Sequence, residues 1–267
     1  MRAFNYHRPT TLKEAVSLLR KVENAKLLAG GQSLIPSLKL RLSGPAALVD
    51  LSAIEEMRGI GFDGGTLTIG ALVRHAEVAA SRDVVNSIPA LARLADGIGD
   101  RQVRNQGTLG GALAYNDPAA DYPAAVLGLG ATINTNKRAI AADRFFTGSF
   151  ETALRPGEII TSVAFPLPKR AAYVKFRQPA SRFAIVGVFV SEGAGNVRVA
   201  VTGARGCVFR AKTMEKRLAE QFTPDAIAKV KIAPDDLNSD IHASAEYRAH
   251  LISVIAQRAV ETALAGK

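Results

Sequence analysis

The stretch IGDRQVRNQGTLGGALAYNDPAADYPAA, residues 98–125, decides how this chain is read. It is the densest run of unusual residues in the sequence, rich in glycine and polar turn formers and poor in either helical or strand periodicity. Within it, Gly107-Thr108-Leu109-Gly110-Gly111 follows Arg101, Arg104 and Asn105 and precedes Asn116, Asp117 and Asp121. Backbone, hydroxyl, guanidinium and carboxylate groups therefore fall within about twenty positions, and a nucleotide needs that set: N–H and O–H donors for phosphate, an acceptor for ribose or ribityl hydroxyls. A surface loop tied by Arg–Asp pairs fits the same residues.

A second glycine cluster lies upstream. The segment AKLLAGG, residues 25–31, reads as a short apolar strand ending in Gly30-Gly31, with Gln32, Ser33 and Leu34 after it. Backbone N–H groups at such a turn can face an anion, the Ser33 hydroxyl can join them, and without a Cβ a diphosphate can approach the chain closely. A tight strand exit with no ligand is the alternative. Neither cluster fits the common phosphate motifs: G-x-x-x-x-G-K-[ST] is absent, and Gly128-Leu129-Gly130 has Ile133 where the dinucleotide fingerprint needs its third glycine. A P-loop ATPase and a Rossmann dehydrogenase are disfavoured. Ser33 is not a nucleophile elbow either, because G-Q-S-L-I lacks the glycine that follows the serine there.

Around these clusters the chain falls into three regions. In the first, Thr11 and Glu14 have capping-box spacing ahead of a helix that places Leu12, Ala15, Val16 and Leu19 on one face. AKLLAGG follows, then a short helix or turn in SLIPSLKLRL and a strand in ALVDLS. The second region opens at Gly64-Gly65 with the alternating strand TLTIGAL, continues through helical RHAEVAAS and NSIPALARLADG, and closes after the glycine run with strands ATINTN and EIITSVAFP. Lys169-Arg170 reads as a linker or boundary. In the third, YVKFRQPASRFAIVGVFVSEGAGNVRVAVTGA carries strand-like runs turned at Gly193 and Gly195-Asn196, then helices over RAKTMEKRLAEQ and AEYRAHLISVIAQRAVETAL, the latter with Leu251, Ile255 and Ala259 on one face. Strands followed by helices argue for an α+β domain rather than a βαβ array. The expected division is 1–57, 58–168 and 171–267.

Composition narrows the function classes. The chain has 267 residues, 48% hydrophobic, with 34 Lys+Arg against 24 Asp+Glu and a formal charge of +10. That excess splits evenly on either side of Arg170, so no basic domain or tail marks a nucleic-acid binder, and the aromatics lack stacking-platform spacing. The N-terminus, interrupted by Asn5, His7 and Pro9, lacks the apolar core of a signal peptide, and no stretch approaches a membrane span. A cytoplasmic protein is expected. The one cysteine, Cys207, excludes an internal disulfide or a Cys-ligated metal cluster and is expected to be a small packed residue. His242 and His250, eight apart, are expected to share a helix face without a third metal ligand; His75 and Glu77 have no evident nucleophile nearby.

AGGQSLIPSLKLRL, IGDRQVRNQGTLGGALAYNDPAADYPAA, GEIITSVAFP and YVKFRQPASRFAIVGV, in that order, resemble the FAD-binding medium subunit of the molybdenum hydroxylases, the family of aerobic carbon monoxide dehydrogenase and xanthine dehydrogenase. The resemblance runs from the first helix to the last. It implies a p-cresol methylhydroxylase-type FAD-binding fold of two α/β subdomains plus a C-terminal domain of antiparallel sheet and helices. It implies, further, that Leu28, Ala29, Gly30, Gly31, Gln32, Ser33 and Leu34, with Thr108, Leu109, Gly110 and Gly111, cradle the FAD diphosphate, and that Gly107 and Ala114 also belong to the cofactor-binding set. Arg101 and Arg104 would help to offset its charge. Asp121 matches an acidic position near the ribityl chain and flavin, Ile160 an apolar flavin contact, and Ile98 and Lys175 complete the implied set. Ala112 stands where many relatives have Asn, and Gln32 where some have His. The implied partners are a large subunit with the molybdopterin cofactor and a small subunit with two [2Fe-2S] clusters, in a dimer of heterotrimers. This chain would then be the electron exit, from FAD to NAD, a quinone or oxygen. A stand-alone flavin oxidoreductase is the other enzymatic reading.

Overall fold

The computed structural model describes residues 1–266, with the backbone alone at Asp63. Near the N-terminus, β1 (Asn5–His7), α1 (Leu12–Lys21), β2 (Ala25–Leu28), α2 (Leu34–Lys39) and β3 (Ala47–Asp50) build a parallel sheet in the order β1-β3-β2. The central β3 is buried at all four residues, as a parallel strand covered on both faces should be. The Thr11 hydroxyl accepts the Glu14 N–H at 3.2 Å and caps α1, while the Glu14 carboxylate accepts from Thr10 N at 3.0 Å. Ala15 is fully buried, and Leu12, Val16 and Leu19 pack beside it. The three residues of β1 carry no strand signal in the sequence; they pair because β3 offers them an open edge.

The middle region comprises β4 (Ile60–Asp63), β5 (Thr66–Gly70), the helices α3 (His75–Ala80), α4 (Arg82–Ser87), α5 (Pro89–Asp96), α6 (Arg101–Arg104), α7 (Leu109–Tyr115) and α8 (Tyr122–Leu129), then β6 (Thr132–Thr135), β7 (Ala139–Ala141), β8 (Phe146–Gly148), β9 (Glu151–Thr152) and β10 (Ile160–Pro166). Five of these strands form an antiparallel sheet, β4-β5-β10-β6-β7, and β8 and β9 form a separate ribbon. Val163 of β10 lies between Ile69 and Ile133, all three fully buried. The glycine-rich stretch 98–125, which lacks any helical period, contains α6, α7 and the start of α8. Two of them are hidden for physical reasons: α6 is a single turn, and α8 is buried at every one of its eight residues, so it has no polar face to set a period.

Lys169-Arg170 is a boundary between sheets and not a linker, because the third sheet starts there directly. Arg170 is the first residue of β11 (Arg170–Arg177), and the side chains of Lys169 and Arg170 both pair with Glu192, at 3.1 and 2.8 Å. With β12 (Ala184–Gly193), β13 (Asn196–Thr202) and β14 (Phe209–Arg210), β11 makes a four-stranded antiparallel meander, followed by α9 (Lys212–Glu220), α10 (Pro224–Ile227) and α11 (Ala245–Leu264). Leu251, Ile255 and Ala259 of α11 are buried as their spacing predicts. His242 precedes the helix, so it shares no helix face with His250. Residues on one face of β12, Val186, Val188 and Val190, pack with α11, whereas Phe189 on the other joins the core of the first two regions. One strand thus serves two cores.

Candidate functional site

The two glycine loops meet, backbone against backbone. A Cβ on Gly30 would lie 2.2 Å from the carbonyl oxygen of Gln106 and 2.6 Å from Cα of Gly107, so only glycine allows this approach. The first loop leaves β2 and the second leads into α7, while Ala71 and Leu72, just after β5, and Ile160, the first residue of β10, line the space between them. The Thr108 hydroxyl caps α7 by accepting the Gly111 N–H at 3.2 Å. Ser33 stands at the start of α2 with its hydroxyl not used as a cap. Among the described residues, the backbone N–H groups of Gly30, Gly31, Gln32, Ser33 and Thr108 have no hydrogen-bond partner in the protein. They are donors available to an anion.

Between the loops runs a cleft of about 540 Å³, within the range of cofactor sites. Twelve of the residues expected to bind the cofactor line it: Ala29 to Leu34, Gly107, Thr108, Gly110, Gly111, Ala114 and Ile160. Leu28 stands behind the first loop, its Cδ1 3.2 Å from where a Cβ on Gly31 would be. Ala112 and Gln32 also face the cleft, and the Gln32 amide donates to Gly30 O at 3.3 Å.

Ile98, Asp121 and Lys175 gather at a second centre. Lys175 Nζ lies 2.8 Å from Asp121 Oδ2 and donates to Gly97 O at 3.0 Å, next to Ile98. Tyr173 donates its hydroxyl to Asp121 Oδ1. Burial raises the Asp121 pKa, and the charge and hydrogen bond of Lys175 and the hydrogen bond of Tyr173 oppose that rise. The Tyr173 hydroxyl is itself pushed well up by burial and by the neighbouring carboxylate.

Arg101 and Arg104 do not line the cleft. They belong to a separate groove of about 450 Å³ over Ala76, Ala79 and Ala92, where Arg104 faces Asp96 at 3.5 Å and donates to Ile98 O and Gly99 O. Their position beside Gly107 in sequence misleads because α6 turns their side chains away. Lys26 is the cation among the cleft-lining residues.

His75, to which the sequence assigns no role, belongs to the site. It opens α3, lines the cleft and is 5% exposed, with its N–H bonded to Gly107 O at 2.9 Å and its ring 5.2 Å from that of Tyr122. Burial, aided by the charge of Arg104, lowers its pKa to about 4. A neutral imidazole therefore stands in the cleft wall, with Nδ1 buried and unpartnered. Glu77 plays no part there, since its carboxylate accepts the Arg74 N–H at 2.6 Å. Glu158, also in the wall, is spent on structure: hydrogen bonds from Arg138, from Arg155 N and from Thr135 hold its pKa near 2. Cys207 is half-buried, burial pushes its thiol up, and among the described residues no group of three His, Cys, Asp or Glu can hold a metal ion.

What the cleft offers is close backbone donors for a phosphate and apolar walls for rings; the Asp121 carboxylate stands outside that lining, held by Tyr173 and Lys175. These residues fit a dinucleotide.

Comparison with known proteins agrees. Residues 2–168 match the model of the FAD binding domain in molybdopterin dehydrogenase. The carbon monoxide dehydrogenase medium chain of Hydrogenophaga pseudoflava is 34% identical, covering 98% of this chain and 97% of that one. The nicotine 6-hydroxylase medium subunit of Paenarthrobacter nicotinovorans is 33% identical, covering 97% and 96%. Among solved structures, quinoline 2-oxidoreductase from Pseudomonas putida superposes with a TM-score of 0.91 at 30% identity, over 99% of this chain and 98% of that chain. CO dehydrogenase from Oligotropha carboxidovorans also gives 0.91, at 31% identity, over 100% and 99%. The likeness extends well beyond the matched domain, through the third sheet and its helices, and it bears out the expected α+β fold. The chain belongs to the FAD-binding medium subunits of the molybdenum hydroxylases, the flavoprotein subunits of oxidoreductases of the carbon monoxide and xanthine dehydrogenase type.

Proposed function

We propose that this chain is the FAD-carrying electron-transfer subunit of a cytoplasmic molybdenum hydroxylase complex. It takes electrons from iron–sulfur clusters on a small partner subunit, which in turn receives them from a large molybdopterin-binding subunit, and passes them to an external acceptor such as NAD, a quinone or oxygen. The carrying observation is the cleft between the two glycine loops, with its unpartnered N–H groups and backbone contact at Gly30. When bound, FAD supplies the redox chemistry, accepting electrons singly and releasing them singly or in pairs.

The chain's own residues bind, orient and exclude water. Gly30, Gly31, Gln32, Ser33 and Thr108 present backbone donors to the diphosphate, helped by Lys26 and the Ser33 hydroxyl. Leu28, Leu34, Gly107, Gly110, Gly111, Ala112 and Ala114 shape the cradle. Ile98 and Ile160 offer apolar contact to the flavin, and the Asp121–Lys175 pair holds its polar edge or the ribityl chain. His75, neutral near pH 7, adds hydrogen-bonding capacity without charge. The lone cysteine supports assignment of the iron–sulfur clusters to partners. Names of relatives such as "medium chain" and "medium subunit" support assembly with larger and smaller chains, and a dimer of heterotrimers is the arrangement we propose. The division 1–57, 58–168 and 171–267 is our proposed domain map, supported by the three separate sheets, of which the third begins at Arg170, one residue ahead of its limit.

Co-purification from the native source, with the flavin spectrum recorded and FAD identified after acid release, tests this reading. A yellow complex that contains iron and molybdenum supports it. Colourless chain that takes up no FAD on reconstitution overturns the flavin assignment, and FAD-loaded chain that oxidises an organic substrate alone overturns the subunit assignment.

A further inference from the structure

Asp121 does not hold its own position. The segment between α7 and α8 that carries it is irregular, and its carbonyl groups are taken up by the third sheet. Pro118 O accepts from Gly203 N at 2.9 Å, and Ala119 O accepts from Ala184 N at 3.3 Å. Thr202 Oγ1 lies 2.7 Å from Ala120 O and 3.1 Å from Pro118 O, so its one proton is shared between them. The carboxylate is gripped from the same sheet, by Tyr173 at Oδ1 and Lys175 at Oδ2. Room for the Tyr173 hydroxyl exists because residue 187 is glycine: a Cβ there would lie 2.3 Å from that oxygen. The Tyr173 ring is stacked near Phe189, centroids 6.2 Å apart and planes 28° apart, and this contact helps to set where the ring carries its hydroxyl. All of these contacts come from beyond the matched FAD-binding domain, which ends at residue 168.

We propose that Tyr173 and Thr202 are positioning residues for the cofactor carboxylate: Tyr173 orients Asp121 and shares its charge, and Thr202 fixes the backbone beneath it. The inference rests on the FAD reading above. The two donors hold both oxygens of the buried carboxylate; without the Tyr173 hydroxyl, one oxygen is left buried and unpaired, which disfavours the ionised form. Thr202 acts one step further back. Loss of its hydroxyl frees the Ala120 carbonyl and with it the backbone leading into Asp121.

The test measures FAD dissociation constants, by fluorescence of released FAD, and the flavin midpoint potential in the complete complex for wild type, Tyr173→Phe, Thr202→Val, Thr202→Ser, Asp121→Asn and the double variant Tyr173→Phe/Asp121→Asn. Tyr173→Phe and Thr202→Val should each weaken FAD binding about tenfold, the loss expected for a hydrogen bond to or beneath a charged group, and shift the potential. Thr202→Ser should restore both values to within about twofold of wild type, and Tyr173→Phe should add less than about twofold to Asp121→Asn, because it acts through that carboxylate. Wild-type affinity and potential in Tyr173→Phe, or full additivity with Asp121→Asn, overturns the proposal. If Tyr173→Phe does not fold, the comparison of Thr202→Val with Thr202→Ser decides. Wild-type chain that binds no FAD is a different failure, that of the underlying flavin assignment.

Discussion

Gly30 shows how one missing Cβ sets the site. Because the atoms it would strike, Gln106 O and Gly107 Cα, are backbone, no side-chain rotation relieves the contact, and Gly30→Ala must part the two loops. We expect this variant to lose at least about tenfold in FAD affinity, measured by fluorescence titration. Gly61→Ala, with nothing within 4 Å of the added carbon, should leave it unchanged. Such glycines are visible in the sequence as clusters, and Thr108 as a hydroxyl beside them, but the contact partner 76 positions away from Gly30 is not. His75 illustrates the opposite case. In RHAEVAAS it reads as an ordinary helical residue, and only the docking of α3 against the second glycine loop buries it. Its lowered pKa makes a pH prediction. Between pH 6.5 and about 4 the unfolded chain binds a proton at this histidine that the folded chain refuses, so stability falls as pH falls through that window and is constant above it. The loss should reach about 3 kcal/mol by pH 4, and chemical denaturation of His75→Gln across that range should show a correspondingly flatter profile.

At the scale of elements, legibility followed the presence of a polar face. The β12–β13 hairpin and α11 were readable because apolar and polar positions alternate or recur and because Gly195-Asn196 marks the turn. α8 was not, since all eight of its residues are buried and its sequence is apolar throughout; nor was α6, a single turn, nor β1, three residues at a sheet edge. α8 lies under the third sheet, and Gly128 is a point of tight approach to β12. A Cβ there would meet Phe189 Cδ1 at 2.7 Å, and the Gly128 carbonyl accepts from Ser191 Oγ at 2.6 Å. Gly128→Ala should therefore destabilise the chain by about 1–3 kcal/mol through overpacking, read as a lower denaturant midpoint with the slope unchanged. The same substitution would disturb the seam between regions, so FAD affinity should fall with it.

For the molecule as a whole, the core that begins at Ala15 also includes Phe189, Ala200 and Val208 of the third region. The three regions consequently cannot unfold independently at low cost, and calorimetry should record one cooperative transition rather than two. FAD at a hundredfold excess over its dissociation constant should add about 2.7 kcal/mol and raise that single transition on the order of 5 °C, carrying the third sheet with it. Overall charge is informative mainly by its evenness: several basic residues are committed internally, Arg198 and Arg210 to Asp143 and Arg248 to Asp240, which composition alone does not reveal. The double duty of β12 has a consequence for protein engineering. A chimera joined at residue 168, where the matched domain ends, would separate Phe189 from Gly128 and Tyr173 from Asp121. The exchangeable module is therefore the third region together with the inner surface of α8 and the segment before it, and grafts that respect sequence order but cut across that surface should assemble poorly.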